Sequence, residues 1–188
     1  RDAEALGPGG SGLLALDWWN GNRSVLVDAR LSGMLVGLTL QTTPAEVYRA
    51  LLEGLAFGTR MVIDTFADHG VPIRRIIASG GMPDKNPLLM QIMADVTGRP
   101  IQIARSQQAG AVGSAIFAAV LAGKKAGGHD DLASAAAAMG GIKAQRFEPD
   151  PANRPAYDRL FAEYRRLHDH FGRSDPVMRR LRDLRGHG

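Results

Sequence analysis

The stretch SGGMPDKNPLLMQIMADVTGRPIQIA, residues Ser79 to Ala104, constrains the fold of this chain more than any other part of its sequence. It follows the β-branched run IRRIIAS, so a strand, a glycine turn, a helix and a second strand come in succession. Asn86 is placed to cap the helix, Pro87 suits its first position, and Gly98 stops it. This order predicts parallel strands joined by a right-handed crossover, and therefore an α/β fold.

A long helix with clear end signals precedes this unit. Thr43 is the predicted N-cap, Pro44 takes the first helical position, and Glu46 completes a capping box. The apolar pattern then continues to a stop at Gly70. Inside the helix, GLAFG places two glycines four residues apart, so we expect another element to pack unusually close to that face.

The other elements are simpler to assign. GMLVGLTLQTT reads as a strand interrupted by Gly37, which indicates a bulge or a close backbone approach. AVGSAIFAAVLAG and DDLASAAAAMG read as helices, and a long helix is predicted from about Pro155 to His170, followed by a last helical turn or two in DPVMRRLRDL. The C-terminal end, about residues 150–188, is therefore predicted to be helical.

Composition excludes several classes of protein. A 188-residue chain with 45% hydrophobic and 22% charged residues is typical of a globular domain. No apolar stretch approaches the roughly 20 residues of a membrane helix, so we expect no membrane partner. The absence of cysteine excludes disulfides and thiolate-held metal, and fits a cytoplasmic location. Residues 1–12, RDAEALGPGGSG, are interpreted as a linker or cut end from a missing N-terminal half, and 13–188 as the folded lobe.

The net charge of +4 arises largely from arginines near the C-terminus. That region also carries many carboxylates, so a nucleic-acid surface is possible but a solvated mixed-sign helix face is favoured, and no nucleic-acid partner is predicted. His168 and His170 are two residues apart and point to different sides of a helix, so no metal site is predicted there.

The pair Gly80-Gly81 raises the question of what must approach the chain so closely. In open α/β sheets, ligands bind beyond the carboxyl ends of strands, where the loops Ser79–Asn86 and Ser106–Gly113 fall. Glycines and a helix N-terminus would let a flat ring or a phosphate reach main-chain N–H groups. Without a ligand, a tight strand-to-helix turn would explain Gly80-Gly81 equally well, and a helix-packing face would explain Gly110 and Gly113. Both the structural and the ligand-binding explanation therefore remain open.

Four motifs in order resemble the C-terminal half of the FGGY sugar kinases. These motifs are LALDWWNGNRS, VGLTLQT, the GG…N…Q…AD pattern of SGGMPDKNPLLMQIMAD, and the helix in QQAGAVGSAIFAAVLAG. The segments LDWWNGNRS, FGTRMVIDTF and EYRRLHDHFG are similar to the L-ribulokinase branch of that family. The resemblance covers essentially the whole chain.

The resemblance implies a ribonuclease H-like, actin-like ATPase lobe with a parallel or mixed sheet flanked by helices. Such enzymes transfer the γ-phosphoryl group of Mg-ATP to a sugar hydroxyl, which in ribulokinases converts L-ribulose to L-ribulose 5-phosphate for arabinose catabolism. By this resemblance Gly80, Gly81 and Asn86 would hold the adenosine, and Gly110 would line the nucleotide cleft. Gly37 and Thr39 would approach the phosphates.

The chain departs from the family pattern in two ways. The residues Ala111 to Ser114 replace a plainer G-A-A run, and Gln108 to Gly110 stand where the ribulokinase branch often has Thr-Pro-Ala or a similar run. In addition, no D-x-G-[TS] phosphate loop, which the family carries in its N-terminal half, occurs in this chain. The resemblance places the catalytic base and the Mg²⁺ ligands in an N-terminal half, so no catalytic or metal residue is assigned here. We expect the chain alone to bind nucleotide weakly and to catalyse nothing.

Alternative functions remain at this point. The chemistry could serve ribitol, xylulose or another polyol or ketose. The lobe could instead be a non-catalytic sugar- or nucleotide-sensing module, and a homodimer through the terminal helix is compatible with each of these functions.

Overall fold

The structure, a computed structural model, describes residues 2–186, which divide into two compact units. Of these described residues, the first unit comprises 2–74, 92–98 and 149–186, and the second comprises 75–91 and 99–148. The helices are α1 Asp2–Ala5, α2 Pro44–Asp68, α3 Met82–Lys85, α4 Pro87–Thr97, α5 Ala109–Ala122, α6 Leu132–Met139, α7 Arg154–Asp169 and α8 Val177–Leu184. The strands are β1 Leu14–Leu16, β2 Met34–Val36, β3 Ile76–Ala78, β4 Ile101–Ala104 and β5 Ile142–Phe147.

The first unit is built around α2, which packs on β1, α1 and α7. β1 pairs with β2 in an antiparallel two-stranded sheet. The predicted strand through residues 34–41 is shorter than expected and ends at Val36. Gly37 adopts a φ of +99°, which an extended strand cannot continue through, and the chain leaves the ladder there.

Aromatic side chains from α2 and α7 form the core of the first unit. The Phe57 ring lies 6.2 Å from that of Tyr157, 6.0 Å from that of Phe161 and 5.5 Å from that of Tyr164, measured between centroids. All four side chains are buried. Aromatic pairs at these separations add favourable ring–ring contacts to the burial of their apolar area, so α2 and α7 are fixed against each other.

The glycines of α2 make the close approach that the sequence predicted. A Cβ atom at Gly54 would lie 2.8 Å from the carbonyl oxygen of Ala15 in β1. At Gly58 it would clash with Oδ2 of Asp17, which follows the same strand. The helix therefore packs on the β1 backbone at Gly54 and on the Asp17 side chain at Gly58.

The second unit contains a three-stranded mixed sheet in the order β3-β4-β5, with helices α3, α5 and α6. β3 and β4 are parallel, as predicted, and α4 follows the glycine turn between them. β5 pairs antiparallel with β4 and was not predicted. Its sequence IKAQRF does not alternate cleanly between apolar and polar residues, and long-range pairing with β4 holds it in the sheet.

The arginine-rich C-terminal region is mixed in charge in three dimensions as well as in sequence. Within the first unit, several of its arginines pair with carboxylates. The pairs are Arg154–Asp158, Arg166–Glu163, Arg173–Asp169, Arg179–Asp28 and Arg180–Asp175. Asp183 of the same region pairs with Arg30. Among residues 2–186, every helix is too short or too polar to cross a membrane.

Thr43 caps α2 as the sequence predicted. Its Oγ1 accepts a hydrogen bond from the Glu46 amide at 3.3 Å, and its own amide donates to Oε2 of Glu46 at 2.7 Å. Replacing Thr43 with alanine leaves the helix N–H group without its side-chain acceptor. The Thr43→Ala variant should lose about 1 kcal/mol of unfolding free energy in urea denaturation. Thr43→Ser, which keeps the acceptor, should match the wild type; equal losses in both variants would contradict a capping role.

Candidate functional site

The two loops that the sequence singled out begin at one edge of the sheet in the second unit. β3 and β4 run parallel, with Ile76 opposite Ile101 and Ala78 opposite Ile103. The carboxyl ends of parallel strands meet at the same edge. The glycine turn after Ala78 and the loop after Ala104 therefore start side by side, as predicted.

Gly80 and Gly81 are glycines for different local reasons. Gly80 has a φ of +87°, in the left-handed region that favours glycine. Gly81 has an ordinary helical backbone, with φ −83° and ψ −16°. A Cβ atom there would meet, outside its chain neighbours, one described atom within 4 Å, Cε of Lys85 at 3.9 Å. Within the described chain, neither strain nor crowding accounts for the missing side chain at Gly81.

Asn86 closes the turn and starts α4. Its Oδ1 accepts a hydrogen bond from the Leu89 amide at 3.0 Å, as the predicted helix cap should. Farther along α4, Nε2 of Gln91 donates to the Glu148 carbonyl oxygen at 2.8 Å, just beyond β5. Asn86 thus fixes the helix N-terminus at the sheet edge, where the helix dipole is positive.

Gly110 lies in the first turn of α5, directly after the second loop. Oγ of Ser106 accepts a hydrogen bond from the Gln108 amide at 3.1 Å and shapes the loop before the helix. Apart from chain neighbours and the helix's own backbone, no described atom lies within 4 Å of a Cβ position at Gly110. Gly110, like Gly81, therefore has an open face within the described chain.

Asp84 was not assigned a role by the sequence, yet it joins three segments of the second unit. Its Oδ1 accepts from Nζ of Lys143 at 2.5 Å, and its Oδ2 accepts from Nε2 of Gln107 at 2.7 Å. The hydrogen bond from Lys143, and after it the one from Gln107, lowers the pKa of the Asp84 carboxyl. No signal in the sequence could have found Lys143, since it lies on the unpredicted strand β5.

Gly37 and Thr39 belong to the first unit, and contacts within that unit account for both. A Cβ atom at Gly37 would lie 2.6 Å from the Gly12 carbonyl oxygen. The Thr39 amide donates to Oγ1 of Thr42 at 2.9 Å, and Oγ1 of Thr39 accepts from the Gln41 amide at 3.2 Å. These contacts define a compact turn after β2.

The first unit also contains a cleft of about 530 Å³ beside Asp17. Oδ1 of Asp17 accepts a hydrogen bond from the Tyr164 hydroxyl at 2.7 Å. Burial raises the pKa of the Asp17 carboxyl, and the Tyr164 hydrogen bond opposes that rise only in part. This hydrogen bond links the Asp17 side chain, directly after β1, to α7.

The described residues include no group of three or more His, Asp or Glu side chains that could hold a metal ion. The two histidines near the end of α7 are separated as their spacing predicted. His168 is fully buried against Trp18, whereas the His170 side chain is 56% exposed.

Comparison with known proteins gives a consistent result. Residues 1–122 match the C-terminal domain of the FGGY family of carbohydrate kinases. Proteins named ribulokinase from Halalkalibacterium halodurans and Geobacillus thermodenitrificans are 55% and 56% identical to the chain, each over 97% of its length. The chain spans about a third of the length of these relatives, 33% and 32% respectively.

Solved structures show the same likeness. A xylulose kinase from Rhodospirillum rubrum matches 90% of the chain with a TM-score of 0.75 and 32% identity, and the chain covers 33% of it. A ligand-bound xylulose kinase from Lactobacillus acidophilus matches 92% with a TM-score of 0.77 and 25% identity, and the chain covers 34% of it.

Proposed function

Because the chain belongs to the FGGY family of carbohydrate kinases, we propose that it is the ATP-binding lobe of a cytoplasmic sugar kinase. The reaction transfers the γ-phosphoryl group of ATP to a ketopentose hydroxyl, converting L-ribulose to L-ribulose 5-phosphate in arabinose catabolism. The choice of L-ribulose is supported by the name ribulokinase, which is borne by the relatives that are 55% and 56% identical to the chain over the matched residues.

The main support for a nucleotide site is the open space beside Gly81, where a side chain would meet no close contact in the described chain. A tight turn explains Gly80, whose φ is +87°, but it does not explain Gly81, whose backbone suits any residue. A flat ring lying against the turn would need the space that a side chain at Gly81 would fill. Gly110 offers a second open face after the neighbouring strand. These two faces support placing the adenosine at this sheet edge.

We propose that the chain's own part in the reaction is to bind and orient the nucleotide. Asn86 holds the N-terminus of α4 at the turn through its hydrogen bond to the Leu89 amide, and that end of the helix attracts negative charge. Gly37 and Thr39 are proposed to approach the phosphates. Following the family resemblance, the Mg²⁺ that accompanies ATP and the base that activates the sugar hydroxyl would be held by other parts of a longer polypeptide.

A kinase acting on another sugar is the second candidate, because the solved structures that match the chain include xylulose kinases. The family membership favours either kinase over a non-catalytic sensing lobe. Sugar-dependent ADP release by the complete protein separates these functions. L-ribulose should give a higher kcat/KM than D-xylulose or ribitol. Release with none of the three sugars would contradict a kinase function on any of them.

Replacing Gly81 with valine tests the nucleotide site directly. A valine side chain at this position would meet no close contact in the described chain, so the fold should persist. The same side chain should displace the adenine ring of the nucleotide. We expect the Kd for Mg-ADP, measured by calorimetry, to rise about 10-fold or more in Gly81→Val, which corresponds to about 1.4 kcal/mol or more of binding free energy. The KM for ATP should rise with it.

Gly7 provides the matched control for this substitution. No described atom beyond its chain neighbours lies within 4 Å of its Cβ position, and it lies in the first unit, outside both loops. Gly7→Val should bind Mg-ADP like the wild type. Equal affinity in Gly81→Val and wild type, in well-folded protein, would remove the glycine turn from the nucleotide site.

A further inference from the structure

Three segments of the second unit meet where β4 ends. β3 and β4 are parallel, so the glycine turn and the loop after Ala104 leave the same edge. β5 is antiparallel to β4, and the pairing of Ala104 with Ile142 brings the start of β5 to that edge as well. A side chain in the glycine turn can therefore reach both the second loop and the edge strand.

The Asp84 carboxylate uses its two oxygens for different segments. Oδ1 accepts from Lys143 on β5 at 2.5 Å, and Oδ2 accepts from Gln107 in the second loop at 2.7 Å. Charge-assisted hydrogen bonds of this kind are shorter and stronger than neutral ones. One side chain thus sets the distance between the two loops and ties both to a strand of the sheet.

The helix inside the glycine turn is short. α3 has four residues and no side-chain cap at its N-cap residue, Gly81. Gly80 adds the conformational freedom of a residue without a side chain. A ligand that needs both loops in place must order them on binding unless the protein has already done so, and that ordering reduces affinity.

We propose that Asp84 is a positioning residue for the nucleotide: it holds the glycine turn and the loop between β4 and α5 at the spacing that the adenosine requires. This inference rests on the proposed function and deepens it. Asp84 acts through the turn and the loop and need not touch the ligand. Lys143 is the fixed partner, since the β5 ladder holds its backbone in place.

The test compares Asp84→Ala with wild type in the complete protein. We expect the Kd for Mg-ADP and the KM for ATP to rise about 3- to 30-fold, the range of coupling through residues that do not contact the ligand. The KM for L-ribulose should stay unchanged, because the two loops serve the nucleotide. Lys143→Met should reproduce the effect.

Two further variants distinguish positioning from a general loss of structure. Exchanging the charges, with Asp84→Lys and Lys143→Asp together, restores the ion pair to β5 but not the hydrogen bond that Asp84 accepts from Gln107. The double variant should therefore recover the part of the affinity that depends on the ion pair.

Arg146 also lies on β5, but opposite Gln102, toward the other end of β4 from Ala104. Its exposed ion pair is with Glu148, just beyond β5. Arg146→Met removes this pair and should leave the Kd for Mg-ADP unchanged.

The possible outcomes separate this inference from the function it rests on. If the wild type binds Mg-ADP and Asp84→Ala binds it equally well, the positioning role is overturned and the proposed function stands. A parallel rise in the KM values of both substrates would also overturn it, by indicating a general structural defect. If the wild type binds no Mg-ADP, the nucleotide site and the positioning role fall together.

Discussion

Replacing Glu53 with alanine is expected to lower the free energy of unfolding by about 3–5 kcal/mol, because it leaves a buried arginine without its counter-charge. The side chains of Arg49 and Glu53 are 5% and 2% exposed, and Nε of Arg49 donates to Oε1 of Glu53 at 2.8 Å. The same oxygen accepts from the Gly9 amide at 3.1 Å. The Arg49 guanidinium also donates to the Tyr157 hydroxyl at 2.7 Å, so the pair links α2 to α7.

An exposed pair in the same unit provides the control. Glu163 and Arg166 are 57% and 76% exposed, and their ion pair on α7 is accessible to solvent. Glu163→Ala should change the unfolding free energy by no more than about 1 kcal/mol in urea denaturation. Because an apolar pair of similar volume avoids the desolvation of both charges, Arg49→Met with Glu53→Leu should recover most of the loss. Similar losses in Glu53→Ala and Glu163→Ala would contradict a buried, coupled pair.

Gly54→Ala is expected to destabilise the protein by about 1–3 kcal/mol, because the new methyl group would overpack the contact between α2 and β1. It would lie 2.8 Å from the Ala15 carbonyl oxygen and 3.1 Å from the Ala15 methyl group. Ala15 is 1% exposed and sits in the middle of a paired strand, so the strand cannot withdraw into solvent. This cost exceeds the roughly 0.5–1 kcal/mol that alanine usually gains over glycine inside a helix.

A glycine-to-alanine substitution in α5 should instead stabilise the protein. Gly113 lies inside that helix, and beyond its neighbours and the helix backbone no described atom is within 4 Å of its Cβ position. Gly113→Ala should therefore raise the unfolding free energy by about 0.5–1 kcal/mol. Thermal and urea denaturation of both variants check this pair of predictions. A stabilising effect of Gly54→Ala would show that α2 and β1 are not in contact at this position.

Signals confined to a few neighbouring residues were read correctly from the sequence. The capping box at Thr43 and Glu46, the start of α4 at Pro87 and the glycine turn after β3 each depend on residues close together in the chain. Their geometry follows from local hydrogen bonds and backbone sterics, which the order of residues specifies. The family resemblance rested on the same local motifs and was confirmed by the match over residues 1–122.

Features set by long-range contacts could not be read in this way. β5 was missed because its place depends on pairing with β4, about 40 residues earlier in the chain. The hydrogen bond between Arg49 and Tyr157 spans 108 positions, and that between Asp84 and Lys143 spans 59. No local pattern marks either partner, because each is selected by the packing of separate elements.

The glycines show most clearly what each level of description determined. The sequence by itself specified where glycines punctuate the chain, and hence the turn, the close helix face and the family. The tertiary structure alone separated their causes. Gly54 and Gly37 are required by neighbouring backbone atoms, Gly80 by its positive φ, and Gly81 by neither. The physical reason is that the sequence shows a glycine in every case. A side chain at that position could clash with a strand, strain a left-handed turn or fill the space of a ligand, and only the three-dimensional contacts distinguish these causes.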